Sequence, residues 1–205
     1  MPILQIITLI KDILLGLAAI TTACVAIIGL NKWKREIKGK ADFEAAQSLI
    51  QATYKLRDAI SICRSSFIGG SEFPEGYTFG ASCAHSPEVH GQAYAHVYQK
   101  RWEPVLRAIQ DFDTFTLEAE ALWGVRIRSK TDELCQRIAE LRGSIEAVIG
   151  DKASGGEDFR TDPKFGEEMR SIVSGSGSEK DEFWQRIKKA IVDIEKEVRP
   201  HLKRN

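Results

Sequence analysis

At 205 residues, the chain has room for one short anchor and one domain of ordinary size, large enough to bury a core. Its 29 basic and 29 acidic side chains cancel, which argues against nucleic acid or an acidic substrate as partner. Cys24, Cys63, Cys83 and Cys135 form no CxxC pair and are too sparse for a secreted disulfide scaffold, so a reducing compartment fits better.

The first predicted element is a membrane anchor in a segment spanning 1–30. From Ile13 to Leu30 the chain runs 18 residues without a charge. As a helix this covers about 27 Å, close to the hydrocarbon thickness of a bilayer. Lys11 and Asp12 precede it, suited to neutralise each other at an interface. A cleaved signal peptide would have a basic start and a shorter apolar core. A lipoprotein signal would stop at Cys24, whereas this run continues six residues further. An uncleaved single-pass helix is the expectation, with Trp33 as interface anchor.

Orientation follows from the flank. Lys32, Lys34, Arg35, Lys38 and Lys40 stand against Glu36 alone, and the N-terminal side is neutral. The positive-inside bias therefore places residues 31–205 in the cytoplasm and the N-terminus outside.

Beyond the anchor, apolar residues recur at three and four, and the expectation is all-α: an antiparallel four-helix bundle with a long first loop and a flexible linker before the last helix. Helix one, about 31–64 and continuous with the anchor, carries Ala45, Leu49, Ala52/Thr53, Leu56, Ala59/Ile60 and Cys63 on its buried stripe. A glycine- and serine-rich loop follows over 67–85. Helix two, about 86–122, opens with Ser86 as N-cap and Pro87 at its first position. Its expected buried face is Ala93, Val97, Leu106, Ile109, Phe112, Ala119 and Leu122, with a kink at Pro104. Helix three, about 129–149, shows Leu134, Ile138, Leu141, Ile145 and Val148. The linker is 150–177, with Asp162-Pro163 as a start signal for a short helix inside it. Helix four, about 178–202, is expected to be capped by Ser178 and to carry Phe183, Ile187, Ile191, Ile194, Val198 and Leu202.

Up-and-down topology brings three basic segments to the membrane-facing end: the anchor flank, the turn with Arg126, Arg128 and Lys130, and the tail with Lys196, Arg199, Lys203 and Arg204 against Glu197. Each such cation gains on the order of 1 kcal/mol near anionic lipid headgroups. The same residues also suit helix termini, as His201 and Lys203 do.

Candidate chemistry is sparse. Cys83, His85, His90 and His96 are of the types that ligate zinc, but their spacing gives no helical i, i+4 pair and no matching second cluster. Glu118 and Glu120 do not share a helix face. No phosphate loop, dinucleotide fingerprint or nucleophile motif is present, and no cofactor is implied. In the anchor, Ala18, Thr22 and Ala26 repeat at four, as do Ala19 and Ala23, a pattern that lets spanning helices pack together.

Several short pieces carry a resemblance: Trp33-Lys34-Arg35 with Lys38-Gly39-Lys40 and Glu44, Tyr54 to Ile60, Arg101-Trp102-Glu103-Pro104, Glu118 to Gly124, and Arg199-Pro200-His201-Leu202. In these the chain resembles a group of uncharacterised bacterial single-pass inner-membrane proteins with a cytoplasmic helical domain. The resemblance implies a bacterial inner-membrane location and brings no known activity.

The leading functional expectation is a membrane-tethered interaction or scaffold module, self-associating and recruiting a protein partner through the end formed by 67–91 and 150–177. An effector or signal-transducing subunit, whose anchor assembles into a membrane-active oligomer, is the alternative. An enzyme with a site near His85, His90 and His96 is the third.

Overall fold

The computed structural model describes residues 2–78, 85–175 and 179–202; within the first helix, side chains are described at Lys11 and from Leu14 onward. All regular structure among them is helical. Helix α1, Pro2–Cys63, is 62 residues long and contains both the apolar run and the first helix of the domain. At 1.5 Å per residue it is about 93 Å long. Side chains from Leu14 to Lys40 are exposed, and burial begins only at Ala41. From there the predicted stripe from Ala45 to Cys63 is buried throughout.

A loop with one 3-10 turn, Gly70–Glu72, leads to α2, Pro87–Trp123. Ser86 caps α2, its hydroxyl accepting from the Val89 N–H at 3.4 Å, and Pro87 occupies the first turn. The helix runs through Pro104 without interruption. Its buried face corrects the sequence expectation. Leu106 and Leu122 are exposed, and the core line is instead Val97, Arg101, Val105, Ala108, Phe112, Thr116 and Ala119. Two of these are polar, so a search for apolar periodicity steps past them onto the neighbouring face.

The α2–α3 connection is also tighter than expected. Gly124, at φ +84°, ends α2 and starts α3, Val125–Ala153, in one residue. That backbone region is open to glycine and strained for other residues. Arg126, Arg128 and Lys130 therefore sit in the first turns of α3, not in a turn.

The expected flexible linker, 150–177, needs correcting too. α3 extends to Ala153, and two more helices follow, α4 (Glu157–Thr161) and α5 (Pro163–Val173). Asp162 caps α5 ahead of Pro163, as the start signal implied. Phe159, Ile172 and Val173 are buried, and the buried Asp151 carboxylate accepts from the Phe159 N–H at 3.0 Å. Helices of five and eleven residues show too few turns for periodicity to register. The last helix, α6, is Glu182–Val198, followed by a 3-10 turn at Arg199–Leu202. Its cap is Asp181, which accepts from the Trp184 N–H at 2.9 Å; Ser178, the expected cap, lies outside the described residues.

α1 packs on α2 and α6, and α3 packs on α2, α5 and α6. One contiguous core joins α1, α2, α3 and α6, with Leu49, Leu56, Phe112, Leu134, Leu141, Ile187 and Ile194 fully buried.

Candidate sites at the two ends of the helical domain

The end nearest the exposed stretch of α1 is organised by Trp123. Its indole N–H donates to Asp42 at 3.3 Å, and its ring stacks on His201 at 4.0 Å. The start of the buried part of α1, the α2–α3 junction and the C-terminal turn therefore meet at one place. The basic residues there have acidic neighbours. Arg126 pairs with Glu197 at 3.2 Å, Arg128 with Asp132 at 2.9 Å, Lys40 with Glu44 at 3.8 Å and Arg199 with Glu195 at 3.9 Å. Lys130 stands near Asp193, whose carboxyl is held below its usual range chiefly by a hydrogen bond from Lys196. Lys203 and Arg204 lie outside the described residues. On the exposed stretch of α1, Lys32, Lys34, Arg35 and Lys38 project with Trp33, and no ion pair engages them among the described residues.

The apolar run itself is one helix long and apolar enough to cross a membrane, and none of its window is buried against the rest of the chain. Its two threonines satisfy their hydroxyls internally: Thr21 donates to the Leu17 carbonyl at 2.8 Å and Thr22 to the Ala18 carbonyl at 2.9 Å. Polar groups tied back to the helix in this way are compatible with hydrocarbon.

At the opposite end, two buried arginines hold the connections down. Arg101, on α2, donates to the Ser65 carbonyl at 2.7 Å and the Phe67 carbonyl at 2.6 Å, and forms a two-armed pair with Glu72 at 2.6 and 2.9 Å. That contact, first of all the hydrogen bond, lowers the Glu72 carboxyl below its usual range. Arg64, just beyond α1, donates to the Ile172 and Ser171 carbonyls and to Asp181 at 3.0 Å. Ser65 and Gly175 bridge beside it. The loop after α1 and the segment before α6 thus share one end. Neither arginine was expected from the sequence as a functional residue. The available signal was Arg101 lying in line with Val97 and Val105 on an otherwise apolar stripe.

The histidines divide. His85 and His90 converge on Tyr77, which is sandwiched between Phe73 at 4.9 Å and His85 at 4.7 Å and hydrogen-bonds His90 Nδ1 at 2.5 Å. Tyr94 closes the group, with Phe73 edge-on and the Lys152 ammonium over its ring at 5.3 Å. Burial, then Lys152 and His85, push the His90 imidazole below its usual value. His96 is half-buried on α2 outside this group, and Cys83 lies outside the described residues. Among the described residues no three metal-type side chains form a group that would hold an ion. The arrangement is an aromatic latch over Ala93 and Val97.

No family model, curated protein or solved structure matches the chain.

Proposed function

We propose that the chain is a membrane-anchored helical interaction module. The uncharged run crosses the bacterial inner membrane once, and an antiparallel four-helix bundle of α1, α2, α3 and α6 stands in the cytoplasm. The observation that carries this reading is the continuity of α1. An 18-residue uncharged stretch with no cover from its own chain leads without a break into the packed helix that starts the domain.

Asp42–Trp123 with Lys55–Asp111, Tyr54–Glu195 with Arg64–Asp181, and Arg126–Glu197 with Glu140–Arg186 support alternating directions for α1–α2, α1–α6 and α3–α6, since residue numbers rise on one helix as they fall on its neighbour. The domain's near end stands roughly 16 Å beyond Leu30, given about eleven residues of helical rise. At that distance the unpaired cations of the stalk, Lys32, Lys34, Arg35 and Lys38, are the main contact with anionic headgroups. Arg126, Arg128 and Arg199 contribute less because each faces an acid. The far end, where Arg64 and Arg101 order the connections, presents Ile62 and Phe67 to solvent, the latter 80 % exposed. It is the surface offered to a protein partner.

Expression of the full chain with tags at either terminus tests the reading. Carbonate-resistant membrane association, with the C-terminal tag cleaved by protease only after the cytoplasmic side is opened, is the expected result. A carbonate-soluble chain, or a C-terminus accessible from outside, would refute it.

A further inference from the structure

Past the end of the uncharged run, α1 keeps one apolar line. Leu30, Trp33 and Ile37 follow at spacings of three and four and are 54 %, 60 % and 51 % exposed. With the hydrocarbon ending near Leu30, the headgroup layer extends about 5–7 Å further. Trp33, about 4.5 Å on, lies within that layer, whereas Ile37, about 10 Å on, stands beyond it. Lipid therefore does not reach Ile37, and no described part of the domain covers it. The same line runs back through the membrane. Gly16, Ala19, Ala23 and Ala26 precede Leu30 with the same alternation, so a seven-residue repeat holds without a break from Gly16 to Ile37. At about 100° per residue, Leu14, Leu17, Ile20 and Ile28 stand about 100° or more round the helix from this line, on the side left to lipid. Small residues are common in spanning helices. The deciding feature is that theirs is the face that continues into exposed Ile37.

The surroundings of the line fit one occupant. Copies anchored in the same direction present it at equal depth, so it meets its own counterpart residue for residue, Ile37 against Ile37. Lys34 and Glu36 fall on opposite flanks of the line. Two-fold rotation about the membrane normal therefore brings Lys34 of each copy to the same side as Glu36 of the other. Lys32, Arg35 and Lys38 lie about 100° or more round from the line, so their like charges are not forced together. At Lys40 and Glu44, which pair with each other at 3.8 Å, the line turns polar and the apolar contact ends. The domain leaves the line clear. Leu49 and Leu56, central in the buried stripe of α1, lie about 110° round the helix from Ile37, which sets the domains of two such copies on opposite sides.

We infer that a second copy of this chain docks along this line, giving a parallel two-stranded pair from Gly16 to Ile37. The inference rests on the membrane-anchored reading and deepens it. Inside hydrocarbon the small side chains let the two backbones approach, where van der Waals contact is the main attraction. Beyond it, Leu30, Trp33 and Ile37 withdraw apolar surface from headgroups and water. Lys34 and Glu36 across the contact favour the parallel register, and the seven-residue repeat gives the two helices a left-handed crossing.

The test is oxidative crosslinking of single added cysteines in the full-length chain in proteoliposomes, with carbonate extraction run alongside. Every substituted position is exposed and outside the packed core, so folding of the domain does not depend on it. A disulfide needs Cα atoms within about 7 Å. Ala26→Cys, Trp33→Cys and Ile37→Cys should therefore give linked pairs about fivefold or more above the unsubstituted chain. In that chain Cys24 lies about 140° round from the line, and it sets the background. Ile28→Cys and Arg35→Cys should stay at background. Lys34→Glu should lower the Ile37→Cys yield about fivefold, and adding Glu36→Lys should restore it, because the two charges then trade places. Equal yields at all positions, a maximum at Arg35→Cys, or no restoration by Glu36→Lys would overturn the inference. A chain held in membranes without linkage along the line overturns this inference alone, whereas loss from the membrane fraction overturns the anchor reading with it.

Discussion

Arg64 and Asp181 form a buried ion pair at 3.0 Å, with their side chains 2 % and 6 % exposed. The pair joins the end of α1 to the start of α6. Asp181 also caps α6, and Arg64 lies over the Phe183 ring at 4.7 Å. Removing one member leaves the other charge buried without its counter-ion, which typically costs about 3–5 kcal/mol. Arg64→Met and Asp181→Ala should therefore each lower the unfolding free energy by roughly that amount. Asp181→Asn should fall between these variants and wild type, because the amide oxygen still accepts from Trp184. Chemical denaturation of the full chain in detergent, followed by tryptophan fluorescence, measures all three.

Thr116 is the opposite case. Its hydroxyl is buried in the core line of α2 and has no hydrogen-bond partner among the described residues. Thr116→Val exchanges that hydroxyl for a methyl in the same shape. The domain should gain about 1 kcal/mol, seen as a higher denaturation midpoint with an unchanged slope.

Gly91 lets the start of α2 lie close against Ala153 at the end of α3. A Cβ built there would lie 2.5 Å from the Ala153 Cβ and 2.8 Å from its Cα. An alanine in a helix interior usually adds stability over glycine. Here Gly91→Ala should instead destabilise by about 1–3 kcal/mol through overpacking. Gly143→Ala, with open space at its Cβ, is the control and should stabilise.

His90 supplies the pH dependence. Its imidazole is held below the usual value by burial and by Lys152 and His85, so the folded chain favours the neutral ring. A depressed folded value means that this contribution is present above the ordinary histidine range, about 6.5, and is lost as pH falls below it and through the folded value. Protection factors of the Gly70–Tyr77 amides, which divide out the intrinsic pH dependence of exchange, should fall from pH 7 to pH 5. His90→Gln should flatten that dependence, and an unchanged slope would assign it to another group.

Much of the fold was legible in the chain itself, and where it failed is informative. On α1, α3 and α6 the apolar residues at three-and-four spacing fall on the buried face, although α3 also buries Thr131, Ser144 and Asp151, so spacing located those stripes. On α2 the core line passes through Arg101 and Thr116, and periodicity shifted to Leu106 and Leu122. The stretch 150–177 was expected to be flexible because α4 and α5 are too short for a repeat to accumulate. Asp162-Pro163 was nonetheless readable, since a cap acts locally.

Local sequence determined the uncharged run, its basic flank, the caps at Ser86 and Asp162, and the direction of each regular stripe. These depend on residues within one or two turns of each other. Tertiary structure alone decided which charges meet: Arg64 with Asp181, Arg101 with Glu72, and Arg126 with Glu197 are separated by tens of residues or more in the chain. It also turned the basic clusters near Trp123 from free charge into paired charge and left the stalk as the unpaired cationic segment. Charge counted along a chain is a local sum, whereas the field at a surface depends on which distant segments folding brings beside it.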